Sequence, residues 1–127
     1  MMRLNQVTVP SIDVAASVHF YTTLGLEQIV GGGSYARFVC PDGDATFSVD
    51  EVTEVGGGEA PVVYFECDDL DSTVRGLKDA GLVFESDPTD KGWLWREARL
   101  LDPDGHEICL YRAGENRLNP PWKLPSA

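Results

Sequence analysis

Basic residues are scarce in this sequence. Lysine and arginine together number 10 against 21 aspartates and glutamates, a formal net charge of -11 over 127 residues. Nucleic-acid binding needs a basic surface to neutralise phosphates, so the balance argues against that function class. The same field would attract a cationic ligand, and it also keeps a chain in solution. Histidine occurs only as His19 and His106, and cysteine only as Cys40, Cys67 and Cys109, with no CxxC spacing. An odd number of dispersed thiols argues against a disulfide framework and fits a reducing compartment. No apolar run is long enough to cross a bilayer, and the N-terminus lacks a basic segment followed by an apolar one. The expectation is a cytoplasmic chain with no membrane and no nucleic-acid partner.

Internal repetition is abundant. "SIDVAASVHFYTTLGLEQI" aligns with "CDDLDSTVRGLKDAGLVFE" without a gap, Asp13 meeting Asp69, Val18 meeting Val74, Gly25 meeting Gly81 and Leu26 meeting Leu82. Pro41-Asp42-Gly43 returns as Pro103-Asp104-Gly105. In each copy an aspartate stands where a carboxylate can cap the first N–H groups of a helix, and a glycine where the helix ends left-handed. Val14, Val18 and Tyr21, like Leu70, Val74 and Leu77, recur at helical spacing between them. A β-rich run precedes each helix, "LNQVTVP" and "PVVYFEC". Three follow each: "EQIVG", "SYARFVC" and "ATFSVDE", then "LVFES", "WLWREARLL" and "HEICLYR". The unit is β-α-β-β-β used twice in one 127-residue domain of the α+β class. Module 1 spans about 3–55, module 2 about 59–112, and a Pro-rich tail, 113–127, is expected to pack down through Trp122.

One helix covers one face of a four-stranded sheet, so the other face goes to a ligand, a partner or solvent. Side chains alternate along strands. Val7, Val9, Ala36, Phe38, Phe47 and Val49 fall on the helix side of the first module, and Val63, Phe65, Ala98, Leu100, Ile108 and Leu110 on that of the second. The opposite faces then carry Gln6, Tyr35, Arg37 and Ser48, and Tyr64, Glu66, Trp93, Trp95, Glu97, Arg99, Glu107, Cys109 and Tyr111. Aromatics mixed with a few charges suit a small-molecule site, and these residues form the expected ligand-binding set. A dimer interface or a solvated sheet face are the plainer readings.

"SIDVAASVHFYTTLGL", "FECDDLDSTVRGLKDAGLVF" and "WREARLLDPDGHEICLY" resemble the vicinal oxygen chelate superfamily, which contains glyoxalase I, bleomycin-resistance proteins, fosfomycin-resistance enzymes and extradiol dioxygenases. The resemblance runs to about residue 112 and implies paired βαβββ modules whose curved mixed sheets surround a cavity, often in homodimers. It also implies metal-ligand positions on Gln6, Ser48, Val62 and Cys109. Gln6 fits what glyoxalase I uses. Val62 has no ligand atom, Ser48 is a poor ligand for a divalent cation, and one thiolate with one amide is too small a set, so no metal is expected. "WLWREARLLDPDG" is most similar to the corresponding stretch of bleomycin-resistance proteins, which bind a cationic, partly aromatic antibiotic without chemistry. His19, mid-helix, and His106, in a turn, read as surface residues.

The function expected from this is binding or sequestration of a small ligand, cationic and aromatic in its sharpest form, without a cofactor. Two alternatives stay open. One is a metal-dependent lyase or dioxygenase with a divergent ligand set, in which a divalent ion would be the cofactor. The other is a metal-free enzyme using Glu66, Glu107 or Cys109, where Cys109 would need a lowered pKa and an acid would need partial desolvation.

Overall fold

The computed structural model describes residues 1, 3–56 and 60–125. The chain forms two compact units, Met1–Ala60 with Asp102–His106, and Pro61–Leu101 with Glu107–Ala127. In the first unit the order is β1 (Gln6–Ser11), α1 (Val14–Leu24), β2 (Glu27–Gly31), β3 (Tyr35–Val39) and β4 (Thr46–Glu51). In the second it is β5 (Val63–Glu66), α2 (Leu70–Asp79), β6 (Ser86–Asp90), β7 (Arg96–Leu101) and β8 (Glu107–Arg112), followed by a 3-10 turn at Gly114–Asn116. The sheets run β1-β4-β3-β2 and β5-β8-β7-β6. In each, the first strand lies parallel to the last and the other neighbours are antiparallel. The α+β class and the twofold βαβββ order expected from the sequence are what the chain adopts.

The helices begin and end where their chemistry sets them. Asp13 and Asp69 each accept a hydrogen bond from the backbone N–H three residues on, at 3.1 Å. Gly25 and Gly81 then turn the chain at φ 121° and 100°, a region open to glycine and costly for side chains with a Cβ. α1 buries Val14, Ser17, Phe20 and Tyr21 against its sheet, with Tyr21 4.5 Å from Phe47 and 5.8 Å from Phe38 between ring centres. α2 buries Leu70, Val74 and Leu77. Ala36, Phe38, Phe47 and Val49 in one sheet, and Ala98, Leu100, Ile108 and Leu110 in the other, complete two cores with the expected alternation. Val7 shares the face of its neighbour Phe47 but lies on an edge strand and is exposed.

Two expectations need correcting. The strand placed on "LVFES" forms later, as β6, and includes Pro88. An edge strand tolerates a proline because one side of its ladder is unpaired, and a register shift between Ser86 and Thr89 absorbs it. Leu82 instead closes the end of α2 by donating to the Leu77 carbonyl, at 3.0 Å. Trp122, expected to anchor the tail, is exposed. The tail is held nearer its start, where Glu66 Oε2 accepts from the backbone N–H groups of Ala113 and Gly114 at 2.9 and 3.2 Å.

The second PDG turn belongs with the first unit. Tyr21 donates its hydroxyl to Asp102 Oδ2 at 2.6 Å, Ile12 N–H donates to Asp104 Oδ1 at 2.7 Å, and His106 Nε2 meets the Pro10 carbonyl at 2.7 Å. His106 is thus a partly buried anchor rather than a surface residue, whereas His19 is exposed as expected.

Candidate functional site

In the first unit, register places Thr8, Ser48 and Arg37 in one row across β1, β4 and β3. Gln6 Nε2 donates to Ser48 Oγ at 2.9 Å, Ser48 Oγ and Tyr35 Oη lie 2.8 Å apart, and Arg37 Nε donates to Tyr35 Oη at 2.9 Å. Ser48 is fully buried although it faces away from the helix. The Ser48 hydroxyl, and after it the Arg37 guanidinium, favour a phenolate at Tyr35 and lower its pKa. Among the described residues Arg37 has no carboxylate in salt-bridge contact.

In the second unit the matching row is Tyr64, Cys109 and Arg99, across β5, β8 and β7. Arg99 donates to Glu107 and Glu97, both at 3.1 Å, and reaches the Tyr64 hydroxyl at 3.4 Å. Trp93 Nε1 donates to the other Glu97 oxygen at 2.7 Å. Glu97 is only 2% exposed, so both its oxygens must be satisfied inside the protein, and they are. Burial works against the Arg99 charge, but Glu107 and Glu97 outweigh it and hold the guanidinium above its usual pKa. Beside this network Trp95 stacks on Tyr111 at 4.6 Å, and Tyr64 stands edge-on to both rings at 6.1 and 5.6 Å. Burial, then the charge on Glu97, pushes the Cys109 thiol up to about 12 against the pull of Arg99. Such a thiol stays protonated near neutrality and is no nucleophile.

The residues predicted for the site therefore gather in two groups. Gln6, Tyr35, Arg37 and Ser48 are linked in the first unit. Tyr64, Trp93, Trp95, Glu97, Arg99, Glu107, Cys109 and Tyr111 are contiguous in the second. Trp93 lies in the turn before β7, not in a strand, and reaches the network through its long side chain. Glu66 is committed to the backbone of residues 113–114, with Arg117 3.8 Å away. Period-2 counting could not reveal that partner, because it lies 47 and 48 residues along the chain. Thr8 was passed over; its hydroxyl accepts from Gln6 at 3.1 Å.

A family model, the Glyoxalase/Bleomycin resistance protein/Dioxygenase superfamily, matches residues 3–110. The chain belongs to this superfamily. A glyoxalase/bleomycin resistance protein/dioxygenase from Nocardioides is similar in structure, with a TM-score of 0.79 at 21% identity, over 98% of this chain and 91% of that one. A bleomycin resistance determinant encoded on the transposon Tn5 has a TM-score of 0.73 at 21% identity, covering 87% of this chain and 98% of its own. A bleomycin-binding protein complexed with bleomycin has 0.71 at 20%, covering 88% and 98%. At these identities the likeness is one of fold. No curated protein matches the sequence.

The four positions expected from the resemblance to hold a metal offer a poor donor set. In the first unit Gln6 and Ser48 are bonded to each other, and the Gln6 oxygen already accepts from Thr46. In the second, Val62 has no side-chain donor atom, which leaves Cys109 as the one ligand type of that pair. These residues do not fit a divalent ion, which needs several deprotonated or neutral donors at once. Among the described residues, Asp102, Asp104 and His106 bring ligand atoms within 4.8 Å of one another. Each of those side chains is already hydrogen-bonded within the first unit. Among the described residues no helix is long and apolar enough to cross a membrane.

Proposed function

We propose that this protein binds a small aromatic cation on the open face of its second module, without a metal and without covalent chemistry. The observation that carries the reading is the network itself. Two carboxylates, Glu97 and Glu107, share one guanidinium, leaving one surplus negative charge beside three aromatic rings. Glu107 and Tyr64 remain partly exposed, so a ligand can reach the acid and the ring together. A cation gains from the ring face of tyrosine or tryptophan as well as from the carboxylate. Two structural neighbours carry names that record bleomycin binding or resistance, which supports non-covalent binding as a use of this fold. The protonated Cys109, the committed Glu66 and the pairing of Glu107 with Arg99 speak against the metal-free enzyme. The same reading makes the protein a cytoplasmic homodimer; its three free cysteines suit a reducing compartment, and sedimentation velocity tests the assembly.

Tryptophan fluorescence titrated with cationic aromatic compounds, bleomycin included, tests the proposal. Saturable binding should weaken in Trp95→Ala by about 0.5–2 kcal/mol, the range for cation–π contacts. It should also weaken in Glu107→Gln, and association should slow as salt rises. Binding of anions only, abolished by Arg99→Ala, overturns it.

A further inference from the structure

A cleft in the same unit carries the opposite charge: Lys91, Leu94, Trp95, Arg96, Arg112 and Ala113 are among the residues that line an open volume of about 420 Å³. Arg96 and Arg112 are direct cross-strand partners on β7 and β8. Like charges set opposite each other in a sheet repel. Arg96 is neutralised by Asp71 and Asp90, at 2.8 and 3.0 Å. Arg112 and Lys91 have no carboxylate in salt-bridge contact among the described residues. In a chain of net charge -11, two unneutralised cations on one cleft stand out from their surroundings.

The apolar wall is built at a conformational cost. Leu94 holds φ 67° and is the sole non-glycine residue with positive φ among those described. It sits in the hairpin turn closed by Lys91 N–H donating to the Trp95 carbonyl at 2.8 Å. A glycine would adopt that conformation without strain, whereas a leucine is disfavoured there. The strained residue puts an isobutyl group beside Trp95 and Ala113 on the cleft wall. Strain of this kind concentrates where a binding surface needs it.

We propose that this cleft is a binding site for a small organic oxyanion, a carboxylate or phosphate head joined to an apolar body. The head meets Arg112 and Lys91, and the body lies along Leu94 and Trp95. A guanidinium provides paired donors in the geometry that such heads accept.

Isothermal titration calorimetry of the full chain with benzoate, phenyl phosphate and inorganic phosphate tests this. Benzoate or phenyl phosphate should bind saturably, and which of them binds more tightly assigns the head group. Inorganic phosphate should bind at least about tenfold more weakly, having no apolar body to bury. Arg112→Gln should weaken the organic anion by about tenfold or more, as expected for a lost charge-assisted hydrogen bond. Lys91→Gln should weaken it by less, and Lys78→Gln, which removes the same charge in the last turn of α2, away from the cleft lining, should change nothing. Leu94→Gly should raise the melting temperature yet weaken binding. The proposal is overturned by absence of saturable binding, by inorganic phosphate binding equally well, by equal losses in Lys78→Gln and Arg112→Gln, or by full affinity in Leu94→Gly.

Discussion

The two modules share a frame and fill it with different chemistry. In the first, Arg37 donates to an oxygen two residues back on its own strand, the Tyr35 hydroxyl, and lies across from Ser48. In the second, Arg99 donates to an oxygen two residues back, the Glu97 carboxylate, and lies across from Cys109. The backbone geometry is the same, but one oxygen belongs to a phenol and the other to a carboxylate only 2% exposed. A buried carboxylate needs charge-assisted partners on both oxygens, and Trp93, Arg99 and Glu107 are drawn into one network around it. The phenol needs much less and is left with a neutral relay to Ser48 and Gln6. Both modules thus keep an arginine at the same place, and two differences, Tyr35 against Glu97 and Thr46 against Glu107, separate a doubly ion-paired arginine from a surface cation.

The largest effect should come from removing the two arginines in turn. Arg99→Ala leaves Glu97 buried with neutral partners, Trp93 and the Cys109 thiol, and loss of the charged partner of a buried pair costs about 3 kcal/mol. Arg37→Ala should leave the urea midpoint almost unchanged, since its partner is neutral and it is itself exposed. Equal losses would show that the two faces are energetically alike and that the carboxylate is not the cause.

The turns extend the comparison. At the first PDG turn Cys40 N–H donates to the Ala45 carbonyl at 3.0 Å, and at the second Asp102 N–H donates to the His106 carbonyl at 2.9 Å. Only the second has a carboxylate at that position, and it accepts from the backbone of Asp104 and His106 at 2.9 and 2.8 Å and from the buried Tyr21 hydroxyl. Burial, with Asp102 beside it, raises the Tyr21 pKa and keeps the donor protonated. Tyr21→Phe should cost about 1–2 kcal/mol by denaturation, as expected when a buried acceptor loses its donor.

Ser48 and Cys109 hold equivalent places, and pH separates them. Cys109 titrates near 12 in the folded chain, above its value in an unfolded one. Its contribution is fully present below the unfolded pKa and is lost as pH rises toward the folded one, because the unfolded chain then binds fewer protons. Between pH 8 and 10 this amounts to about 2 kcal/mol for one such thiol. Cys109→Ala should flatten that alkaline limb of the stability curve, and Ser48→Ala should not.

Much of this was legible before any coordinates, and the reason is locality. Asp13, Gly25, Asp69 and Gly81 act within one helical turn, so capping rules found both helices. Alternation sorted Phe47 from Ser48 and Ile108 from Cys109, because pleating is also local. β6 was misplaced because its sequence, SDPTD, has no β-rich pattern and is held by the ladder to β7 alone. The partners of Glu66 and Asp102 were hidden for the opposite reason: loop closure across 48 and 81 residues leaves no trace in neighbouring positions. Arg99 was placed on the open face by alternation, but which acid it would pair with depended on register, which composition does not fix.

The smallest expected effect concerns Tyr35, and it sharpens the contrast without disturbing the fold. Its phenol is favoured toward ionisation by Ser48 and then by Arg37, while Tyr111 is pushed the other way by burial and then by the charge on Glu66. Tyr35 should therefore ionise before Tyr111. Phenolate absorbance followed through an alkaline titration of the native chain should lose its earliest step in Tyr35→Phe. Arg37→Ala should move that step to higher pH without abolishing it, because the Ser48 bond survives. A lowered folded pKa means stability gained as pH rises from the folded pKa and complete above the unfolded one, opposite in sign to Cys109. At neutral pH Tyr35→Phe should accordingly leave the midpoint nearly where it was. A large loss at neutral pH would mean that the Gln6–Ser48–Tyr35–Arg37 relay braces the first sheet, and the two faces would then differ in charge but not in structural weight.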